Sequence, residues 1–329
     1  MMASTGPASF VTAATASALA QGDALHTPVV RDLAWLLFSP DLLRAQPPVG
    51  VLAHAFETVA EEAAALDWLR ALDADPGDLL AHIGASRITR LGRYAEYLLG
   101  WFLQHGPAAR LIAANVPLRR GGVTLGECDF LVESRAGQRL HWELAVKCYL
   151  HAGAGRGLLA DYVGPNLQDR FDLKLAHLLD HQLPLSAREE FATLGHIGPW
   201  QPQMFIKGWL FYRRGEPSQD PEQLDPAHGR GWWATRSEWP AFAAAHAGSW
   251  RLLPRLEWLA PRRHEQSAAA EQGIEFLDAN ALLARIAQQN SPTMVAAFAT
   301  DDAGRWIERS RGFIVPDDWP DKAYAFARE

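Results

Sequence analysis

Two runs of apolar/polar alternation, joined by a glycine-bearing turn, constrain this chain more than anything else in its sequence. In RLHWELAVKCYL (139–150), Trp142, Leu144, Val146 and Cys148 alternate with Glu143, Ala145 and Lys147. In VTLGECDFLVES (123–134), Cys128, Phe130 and Val132 alternate with Glu127, Asp129 and Leu131. Side chains on a strand point alternately to its two faces, so each run turns one face to a core and collects its charged residues on the other. Opposed residues of a hairpin share a face. Asp129 therefore joins Glu143 and Lys147 only if odd-numbered residues oppose odd-numbered ones. A two-residue turn at Ala136-Gly137 would pair Asp129 with Leu144. The pattern instead requires an odd-length loop centred on Gly137, with Gly137 at positive φ. The expected register sets Asp129 opposite Ala145 and Glu127 opposite Lys147, where a cross-strand ion pair is the structural alternative to a site role for Lys147. Cys128 and Cys148 then point into the core as buried thiols.

The flanking sequence completes a frame. Residues 89–105 are amphipathic: Leu91, Tyr94, Leu98, Trp101 and Phe102 line one face, with Arg93 and Glu96 on another. ARLIAANVPLRR (109–120) is a strand preceding the hairpin. VGPNLQDRFDLKLAHLLDHQLP (163–184) predicts a helix capped by Asn166 and stopped by Pro184, carrying a basic stripe of Arg170, Lys174, His177 and His181. QPQMFIKGWLFYRR (201–214) is a fourth strand. The order is helix, three strands, helix, strand.

Around this core, residues 1–24 are expected to be a flexible tail. Residues 25–88 form a helical N-terminal extension, with a fresh helix start at SPDLL, where Ser39 caps and Pro40 takes the first turn. The core spans 89–215. Residues 216–329, rich in tryptophan and proline, make an irregular C-terminal extension of short strands or helices packed on it, with a helix expected at IEFLDANALLARIAQQ. The hydrophobic fraction of 48% and charged fraction of 21% fit a globular α/β (α+β) protein. No window approaches about 18 uninterrupted apolar residues, so no membrane span is expected. With two cysteines and no leader-like N-terminus, the expected compartment is the cytoplasm.

The segments RDLAWLLFSPDLL, RLGRYAEYLLGWFL, GECDFLV, HWELAVKCYL, YVGPNLQDRFDLKLAHLLDHQLPLS, WLAP and RGFIVPDDWP run from about residue 31 to residue 320. Together they resemble an uncharacterised bacterial family, the domain of unknown function numbered eighteen fifty-three. The αβββαβ order with its polar residues resembles the PD-(D/E)XK nuclease superfamily. That resemblance implies a restriction-endonuclease-like core with a central mixed sheet. It gives Asp129 the place of the metal-binding aspartate, Lys147 that of the motif lysine, and Glu96 that of an acid on the first helix. Lys174 and His177 sit where the second helix adds polar groups. The chain departs from the pattern at Ala145, where the superfamily has an acid two residues before the lysine; Glu143 stands four before. Along a strand these separations are about 7 Å and about 13–14 Å.

The chemistry implied is metal-dependent hydrolysis of phosphodiesters. Asp129 and Glu143 would hold Mg²⁺ or Mn²⁺, Lys147 would orient water and offset phosphate charge, and Glu96 would assist. Glu127 falls behind the site as a supporting group, with Lys174 and His177. A net charge of −7 gives no whole-chain footprint for nucleic acid. DNA or RNA would have to meet local basic patches, for which Arg119-Arg120, Arg213-Arg214 and Arg262-Arg263 are the candidates. The rival reading is a binding or scaffold protein that keeps the frame without turnover, and oligomeric state is left open.

Overall fold

The computed structural model describes residues 24–329 except 48, 154–155, 197, 217 and 247. The expected tail, but for residue 24, lies outside the described residues. The chain builds a mixed sheet that is ten-stranded among the described residues, in the order β1-β2-β3-β5-β6-β10-β9-β7. The hairpin sequences form β1 (Arg110–Arg120), β2 (Val123–Glu133) and β3 (Arg139–His151), all antiparallel. β4 (Tyr162–Val163) is a short partner of β3. β5 (Gln201–Arg213) runs parallel to β3, and β6 (Gly229–Thr235) parallel to β5. Then β10 (Trp306–Val315) lies parallel to β6 and antiparallel to β9 (Thr293–Thr300), which carries β7 (Ser249–Leu252). β8 (Arg263–His264) pairs with β10.

The C-terminal third is thus not an irregular extension. It continues the sheet of the core across residue 215. Its strands escaped the alternation test because most of their length is buried on both faces: MVAAF in β9 and GFIV in β10 are unbroken apolar runs. Such runs carry no period of two.

Helices cover both faces. On one side α1 (Pro28–Phe38), α2 (Val59–Ala74), α3 (Gly77–Gly84) and α4 (Leu91–His105) pack on Phe130, Val132, Trp142, Leu144 and Val146. On the other, α5 (Phe171–His177) packs Phe171 and Leu175 against Tyr149, Met204 and Ile206. α5 continues through a wider turn at Leu178–Gln182 and a tighter one at Leu183–Ala187. No described helix is long and apolar enough to cross a membrane.

Two expected helix starts are corrected. Ser39 closes α1 rather than opening a helix, and the next residues lie along β5. Leu42 N–H donates to Ile206 O (2.6 Å), Ile206 N–H to Asp41 Oδ1 (2.8 Å), and Lys207 Nζ to Ser39 O (2.5 Å) and Asp41 Oδ2 (3.1 Å). A buried lysine must have an acid and acceptors within reach, and that demand overrides the local Ser-Pro signal. Likewise Asn166 caps nothing: α5 begins at Phe171, and Asp169 is drawn to β3 instead.

Candidate metal and phosphate site

The hairpin turn fixes the site. Ser134 N–H donates to Gln138 O (2.9 Å) and Gly137 N–H to Ser134 O (3.0 Å), with Gly137 at φ +80°. Residues 135–137 are therefore a three-residue loop closed by a left-handed glycine. The pairs are Glu133↔Arg139, Val132↔Leu140, Leu131↔His141 and Phe130↔Trp142, so odd opposes odd as the alternation requires. The register, however, differs by two from the expected one. The loop is centred on Ala136, not Gly137, and moving the centre by one moves every partner by two. One step beyond the last pair, Asp129 meets Glu143 rather than Ala145.

At that step the two strands part. Asp129 N–H donates to Glu143 Oε1 (3.3 Å), and Leu144 N–H donates to Asp129 Oδ2 (2.9 Å). Carboxylates thus take bonds that main-chain groups take along the rest of the hairpin. The break also reverses the facing of β2. Cys128 packs with Leu131, Val116, Leu118, Leu185 and Phe191, away from Phe130 and Val132. It stays buried, but on the Glu143 side, contrary to the expectation from simple alternation. The expected Glu127–Lys147 pair does not form, because the β2–β3 pairing ends before either residue. Glu127 is exposed opposite Pro117. Lys147 instead pairs with Asp169, whose Oδ2 also accepts from Tyr149 Oη (3.1 Å).

Glu143 is wholly buried. It accepts from Gln182 Nε2 at Oε2 (2.6 Å), and His141 Nε2 lies 2.8 Å from Oε1. Lys174 Nζ donates to Gln182 Oε1 (2.7 Å), and His141 Nδ1 lies 3.0 Å from Ser186 Oγ. Lys174 reaches the site through Gln182, while His177 is exposed, its ring 5.2 Å from that of His181. Glu96, on α4, is held by Arg93 (2.5 Å), which also bonds Asn115 Oδ1 (2.9 Å).

The electrostatics mark Asp129. Burial, followed by the charge of Glu143, pushes its carboxyl up to about 8; Glu96 adds to the rise, while Leu144 N–H and Lys174 oppose it. Burial also raises Glu96, with Arg93 opposing and Glu127 and Glu143 adding. Lys174 is lowered by burial and then by Lys147. Four carboxylates therefore share one field, with lysines at its border.

In each dibasic pair that would meet phosphate only if gathered near Asp129, one arginine is held by an acid elsewhere. Arg120 pairs with Glu190, Arg213 with Glu216 and Glu238, and Arg262 with Asp32 inside the fold. The basic surface beside Lys147 comes from single arginines. One cavity of about 300 Å³ is lined by Arg90, Lys147, Asp169, Asn166, Arg255 and Trp258, among others. A second, of about 450 Å³, is lined by Arg87, Arg90, Arg93 and Tyr97. Arg90 belongs to both. Among the described residues Arg87, Arg90 and Arg255 form no ion pair.

Sequence reasoning missed His141, Asp169, Gln182 and Ser186. His141 could have been found, since it stands two residues before Glu143 on the same face of β3. The others reach the site through irregular turns that no periodicity marks. Cys128 Sγ, a ring nitrogen of His141 and a carboxylate oxygen of Glu143 lie within 4.8 Å of one another, all three residues buried.

Residues 31–315 match a family described as Domain of unknown function (DUF1853). Searches among curated proteins and among solved structures returned no significant match.

Proposed function

The chain belongs to the DUF1853 family, and we propose that it is a metal-dependent phosphodiesterase acting on nucleic acid, on a nuclease-like αβββαβ frame. The observation that carries the proposal is the break between β2 and β3. There Asp129 is pressed against Glu143 with its carboxyl raised to about 8, and its Oδ1 makes no hydrogen bond among the described residues. Two acids held this close favour either a proton or a cation between them.

The donor set fits a hard divalent ion: oxygens of Asp129 and Glu143 for Mg²⁺ or Mn²⁺, with Glu96 in the same field. When bound, the ion would polarise a phosphate and acidify a water. The chain's own residues do the rest. Asp129 and Glu143 hold the ion. Gln182 and His141 fix the Glu143 carboxylate. Lys174, held by Gln182, offsets charge developing on phosphate. Lys147 takes that role only when it leaves Asp169. The arginines at 87, 90, 93 and 255 give the polyanion a path to Lys147. We place the activity in the cytoplasm, where two unpaired cysteines stay reduced.

The test is incubation with single- and double-stranded DNA and RNA in Mg²⁺ or Mn²⁺. Cleavage should fall at least about 100-fold in Asp129→Asn, the scale expected when a group stabilising the transition state is lost. Cleavage indifferent to that substitution rejects the assignment, and so does no cleavage under any condition. A second reading, a nucleic-acid scaffold without turnover, is favoured by one observation: Lys147 is engaged by Asp169. It predicts salt-sensitive binding weakened by Arg90→Ala, with no cleavage.

A further inference from the structure

We infer that Cys128, His141 and Glu143 form a buried binding site for a thiophilic divalent ion of the zinc class. The inference shares Glu143 with the phosphodiesterase reading but does not rest on it.

The donors differ in kind from the hard oxygens around Asp129. A thiol sulfur, an imidazole nitrogen and a carboxylate oxygen lie within 4.8 Å of one another. Tetrahedral zinc, with bonds of about 2.0–2.3 Å, needs donors about 3.3–3.6 Å apart. His141 Nε2 and Glu143 Oε1, now 2.8 Å apart, would open by about half an ångström to meet that figure. The three residues are 0% exposed, so the set is closed to solvent.

The groups behind the donors are oriented as ligation requires. A metal-bound histidine hands its other ring nitrogen to an oxygen, which fixes the ring. Here Ser186 Oγ sits 3.0 Å from Nδ1, leaving Nε2 toward Glu143. Gln182 holds the far oxygen of Glu143 at 2.6 Å, and Oε1, which also accepts from Asp129 N–H (3.3 Å), faces His141. Cys128 on β2 and Glu143 on β3 lie just beyond the last pair of the two strands, and His141 sits in the last paired stretch before it. An ion would join β2 to β3 just where their hydrogen bonds stop. The turning of Cys128 toward Glu143, against the alternation of β2, is what brings the sulfur into the set.

The experiment is titration of the full-length, chelator-treated protein with Co²⁺ alone, followed by zinc competition. The expected result is thiolate-to-cobalt charge-transfer absorption, saturating at one equivalent and displaced by Zn²⁺. Cys128→Ser should abolish the charge-transfer band. Cys148→Ser, at the other buried cysteine, should leave it intact. Ser186→Ala, which keeps every ligand, should weaken affinity by about 10-fold. Absence of the band in the unmodified protein overturns the inference. So does its persistence in Cys128→Ser of wild-type circular dichroism. If Cys128→Ser fails to fold, the Ser186→Ala titration decides, and unchanged affinity there rejects the site. Asp129→Asn separates the two readings: it should remove Mg²⁺-dependent cleavage and spare the cobalt band. A band without any cleavage activity supports this site and rejects the phosphodiesterase.

Discussion

Replacing Asp129 by asparagine should stabilise the protein at neutral pH while removing the proposed activity. The carboxyl titrates near 3.8 when unperturbed and near 8 in the fold, raised chiefly by burial and by Glu143. An acid whose pKa rises on folding binds more protons in the native state, so stability falls as pH rises. The loss begins near pH 4, proceeds at up to about 1.4 kcal/mol per pH unit, and is complete just above pH 8. At pH 7 the interval from 3.8 spans 3.2 units, an upper bound of about 4 kcal/mol. Asp129 is only part-buried, and solvent on its open side reduces this to about 2–3 kcal/mol. Asparagine keeps an oxygen for Leu144 N–H and introduces no charge beside Glu143. Urea unfolding at pH 4.5, 6, 7 and 8.5 reads the effect directly. The wild-type midpoint should fall across the series, and that of Asp129→Asn should fall less, with the gap widest at high pH. Mg²⁺ should narrow the gap by stabilising only the wild type. A variant no more stable than wild type at pH 7, or a gap independent of pH, refutes the reasoning.

Two further substitutions test how β5 supports the site. Gly208 opposes Lys147 on β3 and has φ +149°, and a Cβ there would stand 1.8 Å from Lys147 O. Gly208→Ala should cost about 3–5 kcal/mol, from overpacking together with a backbone region open almost only to glycine; a loss under about 1 kcal/mol in denaturant unfolding would contradict this geometry. Asp41→Ala strands the Lys207 ammonium, whose residue is only 4% exposed. That should cost about 3–5 kcal/mol, and adding Lys207→Met should recover most of it. Thermal and urea melts of the double variant no better than the single one would show that the lysine is not what Asp41 serves.

The parts of the fold legible in the sequence are those where polar side chains alternate or recur against apolar ones, whether that polar face is wet or, as on β3, buried among its own partners. β2 and β3 declared themselves by alternation, α4 by its stripe of Leu91, Tyr94, Leu98 and Phe102, and the parity of the hairpin followed from geometry alone. Strands whose side chains are apolar on both faces carry no such mark, and β9 and β10 were hidden for that reason. Where a long-range ion pair decides local structure, as at Asp41 and Lys207, local helix signals pointed the wrong way. The alternation also failed at one site residue, Cys128, because the rule assumes continuous pairing and β2 stops pairing with β3 beyond Phe130.

That same break bears on the apparent defect at position 145. In the expected register Asp129 faced Ala145, and Glu143 could be reached only as a diagonal neighbour at about 7–8 Å. A loop centred one residue earlier brings Glu143 across from Asp129 at the break itself, where Asp129 N–H donates to Glu143 Oε1 (3.3 Å). An acid at 145 would now be the diagonal neighbour, so its absence removes the less favourable of two positions. The pairing that the carboxylates make at the break then accounts for two facts together: why Glu143 stands four residues before Lys147, and why Lys147, left beyond the end of the β2–β3 pairing, turns to Asp169. If this is right, moving the acid should not help. Glu143→Ala combined with Ala145→Glu should fail to restore either the raised Asp129 titration, followed by NMR of its side-chain carboxyl, or Mg²⁺ affinity. Recovery of both would return the site to the register expected from sequence.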